Sequence, residues 1–142
     1  MSQALLAGIS RTTEPRTMLR RFLAVDAVVT GANGLAYAAA SGPLGRLLGV
    51  DDLLLLELGV FLTLFGAAVG LLAARRRPPA LPVKIVVDAN VLWAVLSIAA
   101  LGLWLEPTTA GAVWTVMQAL TVAGFAVMQW SALNATARSC PA

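Results

Sequence analysis

The chain has 142 residues, of which 59% are apolar and only 12% charged, with a formal net charge of +3. Soluble domains carry about 25% charged residues, so a soluble enzyme, a disordered tail and a nucleic-acid binder are all poor fits, even at a pI near 10.0. The chain has no histidine, and its single cysteine is Cys140. His-based metal sites, Ser-His or Cys-His catalysis, CxxC redox chemistry and an internal disulfide are thereby excluded. With a mean hydropathy of +0.84, the composition points to an integral membrane protein of all-α class, with no cofactor and no metal expected.

In chain order, residues 1–13 are expected to form a flexible N-terminal segment. The apolar run Ala4–Ile9 is too short for a secretory signal, and basic residues follow it rather than precede it. A membrane helix needs roughly 20 mostly apolar residues, and four stretches qualify: about 22–40, 53–74, 83–105 and 112–133. Thr13-Glu14-Pro15 reads as a helix start, with proline in the first turn. Gly42-Pro43-Leu44-Gly45 interrupts the chain after the first span. Asp51 and Asp52 suit the cap and first turn of the second. Arg75-Arg76-Arg77-Pro78-Pro79 ends that helix, and Glu106-Pro107-Thr108-Thr109 forms the last turn, with a threonine to cap the fourth span. Residues 134–142 read as a short tail, so the whole chain is one membrane domain, a four-helix bundle.

Orientation follows from the basic residues. Arg11, Arg16, Arg20, Arg21, Arg75, Arg76, Arg77, Lys84 and Arg138 fall on one side of these spans, and only Arg46 falls on the other. Both termini are therefore expected in the cytoplasm. Trp104 and Trp114 read as interfacial anchors.

Polar residues inside membrane helices mark function or specific inter-helix bonds. Asp26, Thr30, Asn33 and Tyr37 follow at steps of four, three and four, one helical face. The third span carries Asp88 and Asn90, with Trp93 and Ser97 continuing the Asn90 face, and the second has Glu57. Trp114, Gln118, Thr121, Phe125 and Gln129 form a comparable stripe on the fourth. At 1.5 Å per residue, Asp26, Asp88 and Gln129 lie about 7–8 Å from the cytoplasmic ends, and Tyr37, Glu57 and Gln118 about 24–25 Å. Two polar tiers are expected. Lys84 one turn before Asp88, or Arg20 or Arg21 near Asp26, could instead neutralise the acids locally.

Two function classes follow. In the first, the bundle encloses a polar-lined pocket for a lipophilic small molecule, which it binds or converts by carboxylate acid–base chemistry: isomerisation, cyclisation or hydrolysis. Asp26 and Asp88 would be the acid/base pair, with Asn33, Tyr37, Glu57, Asn90, Trp93, Gln118 and Gln129 binding the ligand. In the second, the protein is a non-enzymatic accessory subunit or homo-oligomer, its buried polar residues are inter-helix glue, and the Gly66–Gly70 GxxxG face is its contact. The Val25-Asp26-Ala27 and Val87-Asp88-Ala89 echo raises the further expectation of two tandem helical hairpins.

The segments Leu19-Arg20-Arg21-Phe22-Leu23-Ala24-Val25-Asp26, Thr30-Gly31-Ala32-Asn33-Gly34-Leu35-Ala36-Tyr37 and Asp88-Ala89-Asn90-Val91-Leu92-Trp93-Ala94 resemble a group of small four-helix membrane proteins of actinobacteria. More remotely, the layout is similar to DoxX-like proteins. This resemblance covers residues 19–134; it implies the fold and a bacterial plasma membrane location, and carries no activity.

Overall fold

A computed structural model describes residues 14–103 and 105–139; the expectations for residues 1–13, Trp104 and Cys140 lie outside them. Among the described residues the chain is helical throughout, with helices α1 (Pro15–Ala39), α2 (Ser41–Leu48), α3 (Asp52–Ala74), α4 (Ala80–Leu103) and α5 (Thr109–Ser139). All but α2 are long and apolar enough to cross a membrane.

The helix starts are chemically explicit. Pro15 occupies the first turn of α1, where its missing N–H costs nothing. Asp51 caps α3 by accepting from the Leu54 N–H at 3.2 Å, and Asp52 places a carboxylate in the positive first turn. Thr108 caps α5, its Oγ1 accepting from the Gly111 N–H at 3.1 Å. The same hydroxyl donates to the Leu47 carbonyl at 2.6 Å, and the Thr108 N–H donates to the Leu48 carbonyl at 3.2 Å. The α4–α5 turn is thereby fastened to the end of α2.

Three boundaries differ from the sequence expectation. Gly42-Pro43 does not interrupt the chain but starts α2, because Pro43 falls within its first turn. That helix closes at Gly49, whose φ of +72° suits only glycine without strain. Residues 134–139 continue α5 rather than forming a tail. The fourth-span apolar run ends near Leu133, but nothing there stops a helix.

The four long helices run alternately up and down. Of the neighbouring pairs, α1 and α3 are the most closely packed and α3 and α4 the least. Glycines set the close contact. A Cβ on Gly59 would lie 2.5 Å from the Ala38 nitrogen, one on Gly34 2.5 Å from the Thr63 nitrogen, and one on Gly66 2.8 Å from the Gly31 nitrogen. The GxxxG face is therefore used inside the chain, against α1. One apolar core at the α1 N-terminal end joins Leu19, Leu23, Val69, Leu72, Val83, Val86 and Leu133. A second, at the opposite end, joins Tyr37, Leu48, Leu55 and Leu62.

Close packing at Gly59 and open space at Gly124 give opposite expectations for one substitution. Gly59→Ala should lower stability by about 1–3 kcal/mol through overpacking. No atom lies within 4 Å of a Cβ at Gly124, so Gly124→Ala should be neutral or stabilise by up to ~1 kcal/mol through helix propensity. Thermal unfolding of both variants in one detergent measures the difference.

Candidate functional site

Asp26 is fully buried on α1. Its Oδ1 accepts from Thr30 Oγ1 at 2.9 Å, one helical turn on. Its Oδ2 accepts from Asn90 Nδ2 of α4 at 2.8 Å and from Gln129 Nε2 of α5 at 2.7 Å. Asn90 Nδ2 also donates to Gln129 Oε1 at 3.2 Å, closing a triangle across three helices. Gln129 is as deeply buried as Asp26, and Asn90 nearly so. Among the described residues no buried side-chain polar atom lacks a partner. The α1–α4 link is the notable one, since these two helices sit diagonally and their backbones do not otherwise approach.

A second network lies about two turns along α1. Trp114 Nε1 of α5 donates to the Tyr37 hydroxyl at 2.5 Å. An indole N–H can only donate, so the tyrosine oxygen is the acceptor there and its own proton is free to be given elsewhere. It goes to Gln118 Oε1, at 3.0 Å. Asn33 Nδ2 donates to the same Oε1 at 2.9 Å. The indole thus fixes both amides: the Gln118 oxygen faces its neighbours and its NH2 points away from them, while the Asn33 oxygen stays uncommitted.

Between the two networks is a cavity of about 680 Å³, within the usual range for small-molecule sites. Its walls include Phe61 and Phe65 of α3 and Leu92, Trp93 and Leu96 of α4. Asn33, Asn90 and Gln118 supply polar surface, together with Thr30 and Thr121. Phe61 stacks on Trp93, with centroids 6.2 Å apart and planes at 12°, and on Phe65 at 6.1 Å and 16°. The Phe61–Trp93 stack bridges the α3–α4 seam.

Of the residues singled out in the sequence, Asn33, Asn90, Trp93 and Gln118 line this cavity. Tyr37 lies behind Gln118, and Asp26 and Gln129 lie behind Asn90, all three buried. Two expected site residues are placed elsewhere. Asp88 is exposed on the outer side of α4 and does not join Asp26. Asn90, two positions on, is turned about 200° around the helix, so one of the two can face inward, and it is Asn90. Glu57 is likewise exposed, because α3 turns Leu55, Gly59, Leu62 and Gly66 inward. Arg20 does not reach Asp26; its Nε donates to the Ala73 carbonyl at 3.1 Å, near the negative end of α3.

Trp114 is the residue whose role was missed. It holds Tyr37 and lines the cavity rather than serving only as an interfacial anchor. Its step of four from Gln118 carried that signal. Phe61 and Phe65, also four apart, gave no polar cue. No protein-family model matches the chain, and no curated protein or solved structure is detectably similar to it.

The contrast between the two acids can be measured. Asp26→Ala strands three buried donors and should cost about 2 kcal/mol or more, whereas Asp88→Asn should change stability by less than ~0.5 kcal/mol. Equal effects in thermal unfolding would contradict the placement of both.

Proposed function

We propose that the protein is a multi-pass membrane protein that binds a lipophilic small molecule in the cavity lined by its four spans. The observation that carries this reading is the 680 Å³ cavity, walled by Phe61, Phe65, Leu92, Trp93 and Leu96 and furnished with three side-chain amides. A membrane setting is supported by the outward faces. Val28, Leu64, Leu71, Leu120 and Val127 are each at least 65% exposed, and lipid chains would cover such surface as water cannot. The bias of nine basic residues against one supports cytoplasmic termini. The resemblance to small actinobacterial four-helix proteins supports a bacterial plasma membrane.

Binding is favoured over conversion, because among the described residues no carboxylate lines the cavity and Asp88 is turned away from Asp26. The glue reading is not lost; it applies to the Asp26 triangle, whose three side chains satisfy one another. The polar residues thus divide by tier, with structural bonds at the Asp26 level and ligand-facing amides at the Gln118 level.

Two measurements test this. Mass spectrometry of organic extracts from protein purified in lipid nanodiscs should find a lipophile in near-stoichiometric amount. Ala89→Phe, which fills the cavity from α4, should reduce that amount at least ~5-fold, the effect of losing ~1 kcal/mol. Undiminished extract from a folded Ala89→Phe variant would refute the site. For orientation, Cys140 should resist a membrane-impermeant thiol reagent added outside intact cells, and strong labelling would reverse the topology.

A further inference from the structure

The cavity's polar surface is specific in kind. Among the described residues, no Asp, Glu, Lys or Arg lines it. The Asp26 carboxylate is fully buried behind Asn90 and Gln129, with three donors already on it. A charged head group placed here would lose its water and meet no counter-charge, which costs several kcal/mol. What the cavity does offer is set by the Trp114–Tyr37–Gln118 donor chain. Because Gln118 Oε1 is taken twice, by Tyr37 and Asn33, the Gln118 NH2 is the group left to donate. Asn33 gives one N–H of its amide to Gln118 and keeps its carbonyl oxygen as an acceptor. Asn33 and Gln118 both line the cavity, as do Phe61 and Trp93, so its wall combines an amide donor and a carbonyl acceptor with an aromatic stack.

Resting on the reading that this cavity holds a lipophile, we infer that its ligand is an electrically neutral lipid bearing a hydroxyl head. The head oxygen accepts from Gln118 Nε2, its proton goes to Asn33 Oδ1, and its hydrocarbon lies against Phe61, Trp93 and Leu96. Anionic and cationic lipids are rejected for want of a counter-charge. Trp114 makes no required contact with the head. It is a positioning residue that acts through Tyr37 and decides which end of the Gln118 amide the ligand meets.

Photo-crosslinking with two synthetic probes tests the inference. Both carry the same long alkyl chain and diazirine, one ending in a primary alcohol and the other in a sulfonate. They are presented to the full chain in phosphatidylcholine nanodiscs, and labelled residues are mapped by peptide mass spectrometry. The alcohol should label residues 61–65 and 92–96 at least ~10-fold more than the sulfonate, the discrimination expected when one head is a buried unpaired charge.

Gln118→Glu supplies the second arm. It keeps an oxygen for Tyr37 and Asn33 and so preserves the fold, but it replaces the donor facing the ligand with an acceptor. Labelling by the alcohol should fall about 5-fold, the loss of one hydrogen bond. A matched alkylammonium probe, excluded from the wild type, should now label the same residues. Equal cavity labelling by alcohol and sulfonate would overturn the neutral-head assignment while leaving a lipophile site standing. An unchanged probe preference in Gln118→Glu would overturn the role of the amide. Failure of every probe to label the cavity, with labelling confined to outward residues such as Val28 and Leu71, would instead remove the binding reading on which this inference rests.

Discussion

The Asp26 carboxylate is the point on which the packing of the long helices depends. A carboxylate removed from water must be met by donors, and Asp26 is met from its own helix by Thr30, from α4 by Asn90 and from α5 by Gln129. Apolar contacts alone do not specify how a helix is rotated about its axis when it is apolar nearly all round. A triangle of hydrogen bonds does, since each partner has one direction in which it can be satisfied. The α1–α4 diagonal, where the backbones do not approach, is held at this level by the Asn90 amide.

The cavity follows from an imbalance in side-chain size. On the side facing α1, α3 presents Gly59 and Gly66, and the two backbones come together where a Cβ would not fit. On the side facing α4 it presents Phe61, which stacks on Trp93, and Phe65, which stacks on Phe61, and this bulk holds α4 off. The α1–α3 pair is therefore dense and the α3–α4 seam thin. Apolar cores close the two ends, and the uncovered volume lies between them, next to the amides of Asn33, Asn90 and Gln118. Small residues on one face and large ones on the other produce the site without any special backbone geometry inside the long helices.

The four long helices and their caps were legible because length, apolar runs and the chemistry of Asp51, Thr108 and Pro15 are local. Axial position was legible too. Counting 1.5 Å per residue put Asp26 level with Gln129 and Tyr37 level with Gln118, and the structure joins both pairs by direct hydrogen bonds. Rotation was not. Asp88 and Asn90 lie at nearly the same height, and their neighbours Ile85, Val86, Val87 and Val91 are equally apolar whether they face in or out. A helix apolar on every side carries no periodic signal to say which side is the core. Glu57 was misplaced for the same reason on a leucine-rich helix. The polar stripe on α1 escaped this ambiguity because Asp26, Thr30, Asn33 and Tyr37 mark a single face. The Val-Asp-Ala echo is carried by paired hairpins, but its two acids have opposite environments, one fully buried and the other exposed.

The most direct test of this arrangement is the distance from the Asp26 carboxyl carbon to the side-chain amide nitrogens of Asn90 and Gln129. Carbon–nitrogen dipolar recoupling by solid-state NMR, on protein in lipid bilayers with Asp, Asn and Gln selectively labelled, measures it. Hydrogen-bonded geometry places both nitrogens within ~4 Å of that carbon, and removing either amide by Asn90→Leu or Gln129→Leu should abolish its own dephasing and leave the other. Dephasing of the Asp26 carbon by neither amide, or by the side-chain nitrogens of Arg20 or Lys84 instead, would contradict the triangle and with it the helix rotations that create the cavity.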